Sequence, residues 1–309
     1  MEHWDHYWLN RKTVTSFANS GYDTGYAGQL AQFWQDTFAG LAGSAVMLDL
    51  GCGNGALSLL ALRSGKASTI LAVDFAAIDP CQLFADDHVL LTELKQISFH
   101  PSCKMEALPF AEHHVDLAIS QFGFEYSDIT QSLPELFRVL QPNGKAVLLC
   151  HDAASEISLL CKAGITVLNE LLKKGSLIDQ LIDYAVRFAK TDAVQLDARR
   201  EYNKKLIMAF QQYRMGLNDM QASFFNDIIG PFVSLMSNQS ELNVCDFEHL
   251  KKQLGFELTR IADQVQAAYS IQDIRRFNDH AVKAGFNADI HPFTLNNLPF
   301  AWAITLKRT

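Results

Sequence analysis

A glycine-rich segment behind a short apolar run limits how this chain can fold more than any other feature. The run VMLDL over residues 46–50 is too short for a helix, carries a carboxylate at Asp49 and leads to a helix-forming series that begins at Ala56. Glycines lie between the two at alternate positions: Gly51, Gly53 and Gly55. Glycine permits a sharp reversal and lets a ligand lie against bare backbone, beside the free N–H groups that begin a helix. The segment therefore predicts a strand, a nucleotide-type binding loop and a helix.

Two classes of ligand use such a loop. Gly51, Gly53 and Ala56 satisfy the dinucleotide-binding fingerprint, and Asp74 follows at the distance expected of a ribose-binding acid. Asp49 separates the two classes, because a carboxylate just before the loop would repel a pyrophosphate but suits a ligand with an ammonium and a sulfonium group. We therefore expect S-adenosyl-L-methionine (S-adenosylmethionine) rather than NAD.

The segment from Asp49 to Gly55, read as DLGCGNG, resembles the first motif of class I S-adenosylmethionine-dependent methyltransferases. The resemblance covers residues 45–151 and 270–309, about half of the chain. It implies an α/β fold, a doubly wound, seven-stranded, mostly parallel sheet of the Rossmann-like methyltransferase type that ends in an antiparallel hairpin. It also implies the loop residues that contact the cofactor: Asp49, Gly51, Cys52, Gly53 and Gly55. An NAD(P)-dependent oxidoreductase and a non-catalytic binding module of the same fold stay open as alternatives.

The composition narrows the class of protein. Of 309 residues 49% are hydrophobic, so a sizeable core can form, and the formal net charge of −8 comes without a dense basic run. We therefore expect a small-molecule substrate and no nucleic acid. The six cysteines form no CxxC pair, which favours free thiols in a reducing compartment. No signal peptide and no apolar run of about 20 residues is evident. These features predict a cytoplasmic protein without a membrane span, and we predict no metal site.

Adenosine recognition is predicted from two further segments. Asp74 ends the second predicted strand, where a carboxylate can accept hydrogen bonds from both ribose hydroxyls. The resemblance places an apolar residue against adenine at Phe75, for which a core phenylalanine is the alternative. The family commonly has an acid where this chain has Lys104, and a lysine ammonium cannot accept a hydrogen bond from the adenine amino group. Adenine recognition then falls to Met105, Glu106 or the backbone.

The ends of the fourth and fifth predicted strands carry the candidate catalytic residues. Gln121 is predicted to contact the cofactor, and Glu125 and Tyr126 to contact the substrate; a satisfied loop carboxylate and a half-buried aromatic ring are the alternatives for these two. His151 ends the fifth strand, where a neutral imidazole could take a proton from a substrate hydroxyl. Alternatively, His151 and Asp152 merely begin and cap the next helix.

Two segments outside the sheet are predicted to cover it. Residues 1–44 form an N-terminal helical cover, in which Tyr22 or Tyr26 contacts donor or substrate, with core packing as the alternative. Residues 152–269 read as helical throughout and exceed the length of an ordinary connection, so they form an all-helical insertion. In the family such an insertion is a substrate lid; a homodimer formed through it is the alternative.

The sequence therefore predicts methyl transfer from S-adenosylmethionine to a small molecule that is hydrophobic or bears a carboxylate or hydroxyl group. The transfer is an in-line displacement at the sulfonium methyl. The protein holds the nucleophile and the methyl group in line, excludes water and, where the nucleophile is protonated, supplies a base.

Overall fold

The computed structural model describes residues 2–16, 25–189, 196–237 and 242–308. The chain divides into two compact units, one made of Met1–Glu156 with Ala267–Thr309 and the other of Ile157–Gln266. The strands of the first unit are β1 Ala45–Leu50, β2 Ala67–Val73, β3 Ser98–His100, β4 Val115–Gln121, β5 Leu140–His151, β6 Phe286–Leu295 and β7 Leu298–Arg308. Its helices are α1 Glu2–Asn10, α2 Gly28–Ala39, α3 Ala56–Ser64, α4 Pro80–Leu83, α5 His88–Leu94, α6 Ile129–Val139 and α12 Ile271–Lys283.

Within the described residues these seven strands form one sheet in the order β3-β2-β1-β4-β5-β7-β6. Strands β1 to β5 run parallel, β7 pairs antiparallel with β5, and β6 pairs antiparallel with β7. The predicted Rossmann-like methyltransferase sheet is therefore confirmed. The order reverses between β1 and β4, and ligands of open α/β sheets bind outside the carboxyl ends of strands at such a switch point.

The central strands are buried on both faces, which is why they read as nearly continuous apolar runs. Register then aligns their carboxyl ends, because Asp49 lies opposite both Ala72 of β2 and Ile119 of β4. In the same way Gln121 lies opposite Leu149 of β5. Polar residues that end neighbouring strands therefore share one edge of the sheet.

The closing hairpin forms where the family resemblance places it. Its two-residue turn is Asn296-Asn297, with φ of 52° and 64°, the left-handed conformation that hairpin turns of this length require. Strand β5 is longer than the sequence suggests, because the turn-like stretch before Lys145 stays within the strand as an irregularity. Asn143 accommodates this irregularity with a left-handed backbone conformation, at φ of 65°.

The second unit is helical. Its elements are α7 Glu156–Leu171, α8 Leu177–Phe188, α9 Leu196–Met215, α10 Asp219–Ser237 and α11 Val244–Ala267. They share a core of their own, to which Leu168, Leu181 and Phe247 contribute. The assignment of this segment as a substrate lid stays a prediction, as do the domain limits, the homodimer and the cytoplasmic location. Among the helices of the described ranges, none has the length and apolar character needed to cross a bilayer.

Candidate functional site

The loop between β1 and α3 uses backbone conformations that favour glycine. Gly51, Gly53 and Gly55 have φ of 72°, 51° and 88°. A Cβ atom on Gly51 would lie 2.7 Å from the Cα of Gly123, and one on Gly53 would lie 2.5 Å from the Trp8 ring. Side chains larger than hydrogen would therefore collide with protein atoms that already pack against the loop.

The loop is tied to the end of β2. The backbone N–H groups of Gly51 and Cys52 both donate to the Val73 carbonyl oxygen, at 2.9 and 3.1 Å. The Gly55 N–H donates to the Cys52 carbonyl oxygen at 2.9 Å. Burial raises the pKa of the Cys52 thiol well above its usual value, so it stays protonated. Cys52 thus shapes the loop, and its contact with the cofactor stays a prediction.

Two carboxylates flank the loop. Asp74 accepts hydrogen bonds from the N–H groups of Gly53 and Ala76, both at 2.8 Å, and Asp49 accepts one from the Ser58 hydroxyl at 2.6 Å. Burial raises the pKa of Asp49 to about 7 and that of Asp74 to about 6, although these hydrogen bonds lower both values. A cation bound between them would favour the ionised forms.

The predicted adenine wall is more open. The Phe75 side chain is 43% exposed, and the Lys104 ammonium lies 5.4 Å from the centroid of its ring. Met105 packs toward the loop, with its terminal methyl 3.1 Å from the position of a Cβ on Gly51. The Glu106 carboxylate accepts a hydrogen bond from the Asp128 N–H at 2.7 Å, just before α6. The contacts of these residues with adenine stay predictions.

Gln121, at the end of β4, lies in a cluster with two aromatic residues of the N-terminal segment. The Trp34 indole donates to its Oε1 atom at 2.6 Å, and the Tyr26 hydroxyl lies within hydrogen-bonding reach of the same side chain. Burial and the nearby Asp49 charge raise the pKa of Tyr26, so its phenol stays protonated. The structure thus brings Tyr26 and Gln121 together beside Asp49; Tyr22 lies outside the described residues.

Helix α1, which belongs to the segment predicted as an N-terminal cover, lies against this edge of the sheet. Trp8 packs on the glycine loop, and the Asn54 amide donates to carbonyl oxygens of Trp8, Arg11 and Thr13 at 3.1 to 3.4 Å. Farther along, Asp5 accepts a hydrogen bond from the Ala77 N–H at 2.8 Å, close to the end of β2. Asn54 lies inside the first motif, and its amide is the sequence feature from which a connection between the loop and the N-terminal segment could have been predicted.

The three predicted catalytic residues meet at the end of β5. The His151 ring stacks on Phe122, with centroids 3.9 Å apart and planes 1° from parallel, and the Tyr126 ring lies edge-on at 6.4 Å. Glu125 accepts a hydrogen bond from the backbone N–H of His151 at 2.8 Å, and burial raises the pKa of Glu125 to about 7. His151 belongs to β5 and α7 begins later, at Glu156, so the alternative in which His151 begins the next helix is wrong.

Phe122 also joins His151 to an aromatic row that the sequence patterns do not reveal. Phe122 has φ of 59°, which is uncommon for a residue with a side chain and concentrates at functional sites. Its ring lies 5.4 Å from Phe300, Phe300 lies 6.1 Å from Phe293, and Phe293 lies 5.1 Å from Phe33. We call these four rings the aromatic wall. Its members come from α2, β6, β7 and the loop after β4, so only long-range pairing unites them.

The class of this domain follows from comparison with known families. Residues 48–148 match the model of a family described as methyltransferase domain. This span holds the glycine loop, both flanking acids and Gln121. The resemblance to S-adenosylmethionine-dependent methyltransferases is therefore confirmed, and S-adenosylmethionine is the cofactor of that class.

Individual relatives share this part of the chain. A 2-phytyl-1,4-naphtoquinone methyltransferase of Nostoc sp. (strain PCC 7120) is 35% identical over 106 residues, which cover 33% of this chain and 44% of that protein. The protein of the same name in Thermosynechococcus vestitus is 34% identical over 125 residues, 39% of this chain and 51% of that protein. The chain thus spans about half the length of the curated relatives it matches. A candidate S-adenosylmethionine-dependent methyltransferase of Methanococcus maripaludis has 14% identity and a TM-score of 0.44, over 91% of this chain and 84% of its own.

The residues at this edge fit S-adenosylmethionine. The glycine loop keeps left-handed backbone conformations that bring bare backbone to the N-terminus of α3. Two buried acids beside it have pKa values raised toward neutrality, and a cationic ligand would favour their ionised forms. Among the described residues, no group of three or more His, Cys, Asp or Glu side chains is arranged to hold a metal ion.

Proposed function

We propose that the chain transfers the methyl group of S-adenosylmethionine to a small, apolar, aromatic molecule that carries a hydroxyl group. One observation carries the proposal. The glycine loop with its two acids and the corner formed by His151 and the aromatic wall lie on the same edge of one sheet, at the ends of neighbouring strands. A donor and an acceptor bound at these places would be adjacent.

Binding of the methyl donor is supported by the charge of the two acids and by the bare backbone of the glycine loop. Asp74 would accept hydrogen bonds from the ribose hydroxyls, and Asp49 would stabilise the positive charge of the donor. Gln121, held by Trp34, would position the methionine end from the neighbouring strand. S-adenosylmethionine supplies a methyl group already activated on a sulfonium, so these residues need only bind and orient.

Binding of the methyl acceptor is supported by His151 and the aromatic rings around it. A neutral imidazole at the end of β5 would take the proton of an acceptor hydroxyl, and Glu125 fixes its backbone. Flat rings at Phe122 and Phe300 favour a planar apolar acceptor and exclude water. The curated relatives are named for methylating a naphthoquinone that bears a phytyl chain, which supports an aromatic, apolar acceptor here.

Donor binding and methyl transfer should be measured separately. Calorimetry with S-adenosylmethionine is expected to show binding by the wild type and by His151→Asn, and much weaker binding by Asp74→Ala. Turnover with a set of reduced naphthoquinones, phenols and aromatic carboxylates should fall about a hundredfold or more in His151→Asn, the usual contribution of a general base.

Three results would contradict the proposal in different ways. Binding of NADH in place of S-adenosylmethionine would identify an oxidoreductase. Donor binding without methylation of any acceptor in the set would favour a binding module. Full turnover by His151→Asn with a phenol would remove the histidine from the chemistry while leaving the donor assignment intact.

A further inference from the structure

The helical unit contains an open groove of about 810 Å³ between α8, α9 and α10. Helix α9 contributes one continuous face to it, because the lining residues recur at intervals of three or four: Arg199, Asn203, Leu206, Phe210 and Arg214. Sites that hold small molecules have volumes of about 300 to 1,000 Å³. The groove therefore has the size of a ligand site, and its lining lies wholly within the unit Ile157–Gln266.

The middle of the groove is apolar and partly open to solvent. Phe225 and Ile229 of α10 and Leu206 of α9 are buried there. Ile207 and Val233, on the two facing helices, are 50% and 53% exposed. Covering branched apolar side chains with another apolar group is favourable in proportion to the area removed from water. The groove thus favours a ligand with an apolar body.

The ends of the groove are cationic. Three arginines line it, at positions 199, 200 and 214, and no Asp or Glu is found among its described lining residues. Arg199 donates to the Tyr184 hydroxyl and Arg214 to the Asn226 amide oxygen, both at 3.0 Å, so their partners in the described part of the chain are neutral. Arg200 pairs with the exposed Asp197 at 3.3 Å. In a chain with a net charge of −8, this local positive charge favours an anion.

We propose that the groove binds a single-chain amphiphile with an anionic head group. The head lies between Arg199 and Arg200, whose guanidinium groups suit a carboxylate or a phosphate, and Tyr184 fixes the first of them. The chain lies along Ile207 and Ile229 and ends beside the aliphatic stem of Arg214, whose side chain is exposed, so that its guanidinium stays in water. The helical rise places Arg199 and Arg214 about 22 Å apart along α9, comparable with an extended long acyl chain. None of the groove residues belongs to the proposed methyl-transfer site, whose residues are part of the other unit.

Binding of oleate and of hexadecyl phosphate to the full chain tests the proposal. Both probes are titrated below their micellar concentrations and followed by displacement of a fluorescent fatty acid. We expect one saturable site, and binding of either probe more tightly than oleyl alcohol supports the anionic head. Oleyl alcohol should bind at least about fivefold more weakly because it lacks the charge, and inorganic phosphate alone should not displace the dye.

Matched substitutions locate the site. Ile207→Asp should weaken oleate binding at least about tenfold because it places a charge against the apolar chain. Met208→Asp is its control, since Met208 is the next residue, is 61% exposed and lies outside the lining. Arg200→Gln should weaken binding about fivefold at low salt, whereas Lys204→Gln removes the same charge from α9 outside the lining and should leave it unchanged.

Several outcomes would overturn the proposal. These are the absence of saturable binding by both probes, equal effects of Ile207→Asp and Met208→Asp, and binding of oleyl alcohol as tight as that of oleate. If Ile207→Asp converts a dimer to a monomer in sedimentation and leaves oleate binding unchanged, a second copy of the chain covers the groove instead. Should Ile207→Asp fail to fold, Val233→Asn on the facing helix gives the same test.

Discussion

The affinity for S-adenosylmethionine should rise steeply between pH 5 and pH 7.5, because Asp49 must lose its proton to stabilise a cation. Asp49 is 1% exposed, and burial raises its pKa to about 7 in the free protein. Below that pH the carboxyl is mostly neutral and offers the donor little electrostatic attraction. Binding of a cation favours the ionised form, so the complex forms with release of a proton.

The magnitude follows from the pKa. At pH 5, ionising a group with a pKa of about 7 costs about 2.7 kcal/mol, since each pH unit corresponds to about 1.4 kcal/mol. The dissociation constant should therefore be about a hundredfold larger at pH 5 than at pH 7.5. Asp74, with a pKa of about 6, adds up to about another tenfold if the ribose requires its ionised form.

Calorimetric titration from pH 5 to pH 7.5 measures this dependence. The upper limit stays below the ionisation of an α-amino group at about 8. Titrations in two buffers with different heats of ionisation count the released protons, which should approach one for Asp49 at pH 6. Asp49→Asn is the matched variant, because an amide keeps a hydrogen-bond acceptor for the Ser58 hydroxyl but cannot ionise.

The variant should bind weakly at pH 7.5 and keep at most about a twofold change in affinity between pH 6 and 7.5. This remaining change, and the larger one below pH 6, is the contribution of Asp74. Equal slopes for the wild type and Asp49→Asn above pH 6, or an affinity that falls as the pH rises, would refute the assignment of Asp49 as the residue that stabilises the donor charge.

Three further predictions concern the stability of the free protein, measured by urea unfolding. A raised pKa means that the folded state binds the proton more tightly, so Asp49→Asn should gain stability relative to the wild type as pH rises from 4 to 7, by at most about 4 kcal/mol. Gly123→Ala should cost about 3 kcal/mol, because its Cβ would lie 2.7 Å from the Leu50 carbonyl oxygen. Asn54→Ala should cost about 1 to 3 kcal/mol and make α1 sensitive to protease, since its amide joins the loop to the N-terminal segment.

Each of these has its own control. Gly40→Ala should change stability by less than about 1 kcal/mol, because nothing lies within 4 Å of a Cβ there; an equal loss for both glycines would contradict the steric argument. A constant difference between Asp49→Asn and the wild type from pH 4 to 7 would mean that the carboxyl pKa is not raised. Unchanged proteolysis of α1 in Asn54→Ala would show that the helix is held by other contacts.

The sheet and its donor loop could be predicted because their signals are local. The loop from Asp49 to Gly55 depends on backbone conformations that few residues other than glycine adopt, and buried parallel strands read as continuous apolar runs. Polar residues at strand ends then converge whatever the connections between strands are. This is why Asp74, Gln121 and His151 could be placed at one edge without any knowledge of tertiary packing.

The acceptor side could not be predicted in the same way, because its residues meet through long-range pairing. Phe300 reaches Phe122 only because β7 pairs antiparallel with β5, so that Ala301 lies opposite His151. Phe33 joins from α2 at the other end of the chain. No spacing in the sequence links these positions, and each phenylalanine taken alone reads as an ordinary core residue.

Ionisation gives a separate argument for where the chemistry lies. Burial raises the pKa of three carboxyl groups that lie at the carboxyl edge of the sheet: Asp49, Asp74 and Glu125. Carboxyl groups whose pKa is lowered include Glu93 and Glu135, each paired with an arginine. A buried acid that must ionise at neutral pH destabilises the fold, so such groups concentrate where a ligand offsets the cost. Asp49 and Asp74 flank the glycine loop, where a bound cation can offset the cost of their ionisation. The third holds the backbone of His151, and that contact joins the donor edge to the proposed base.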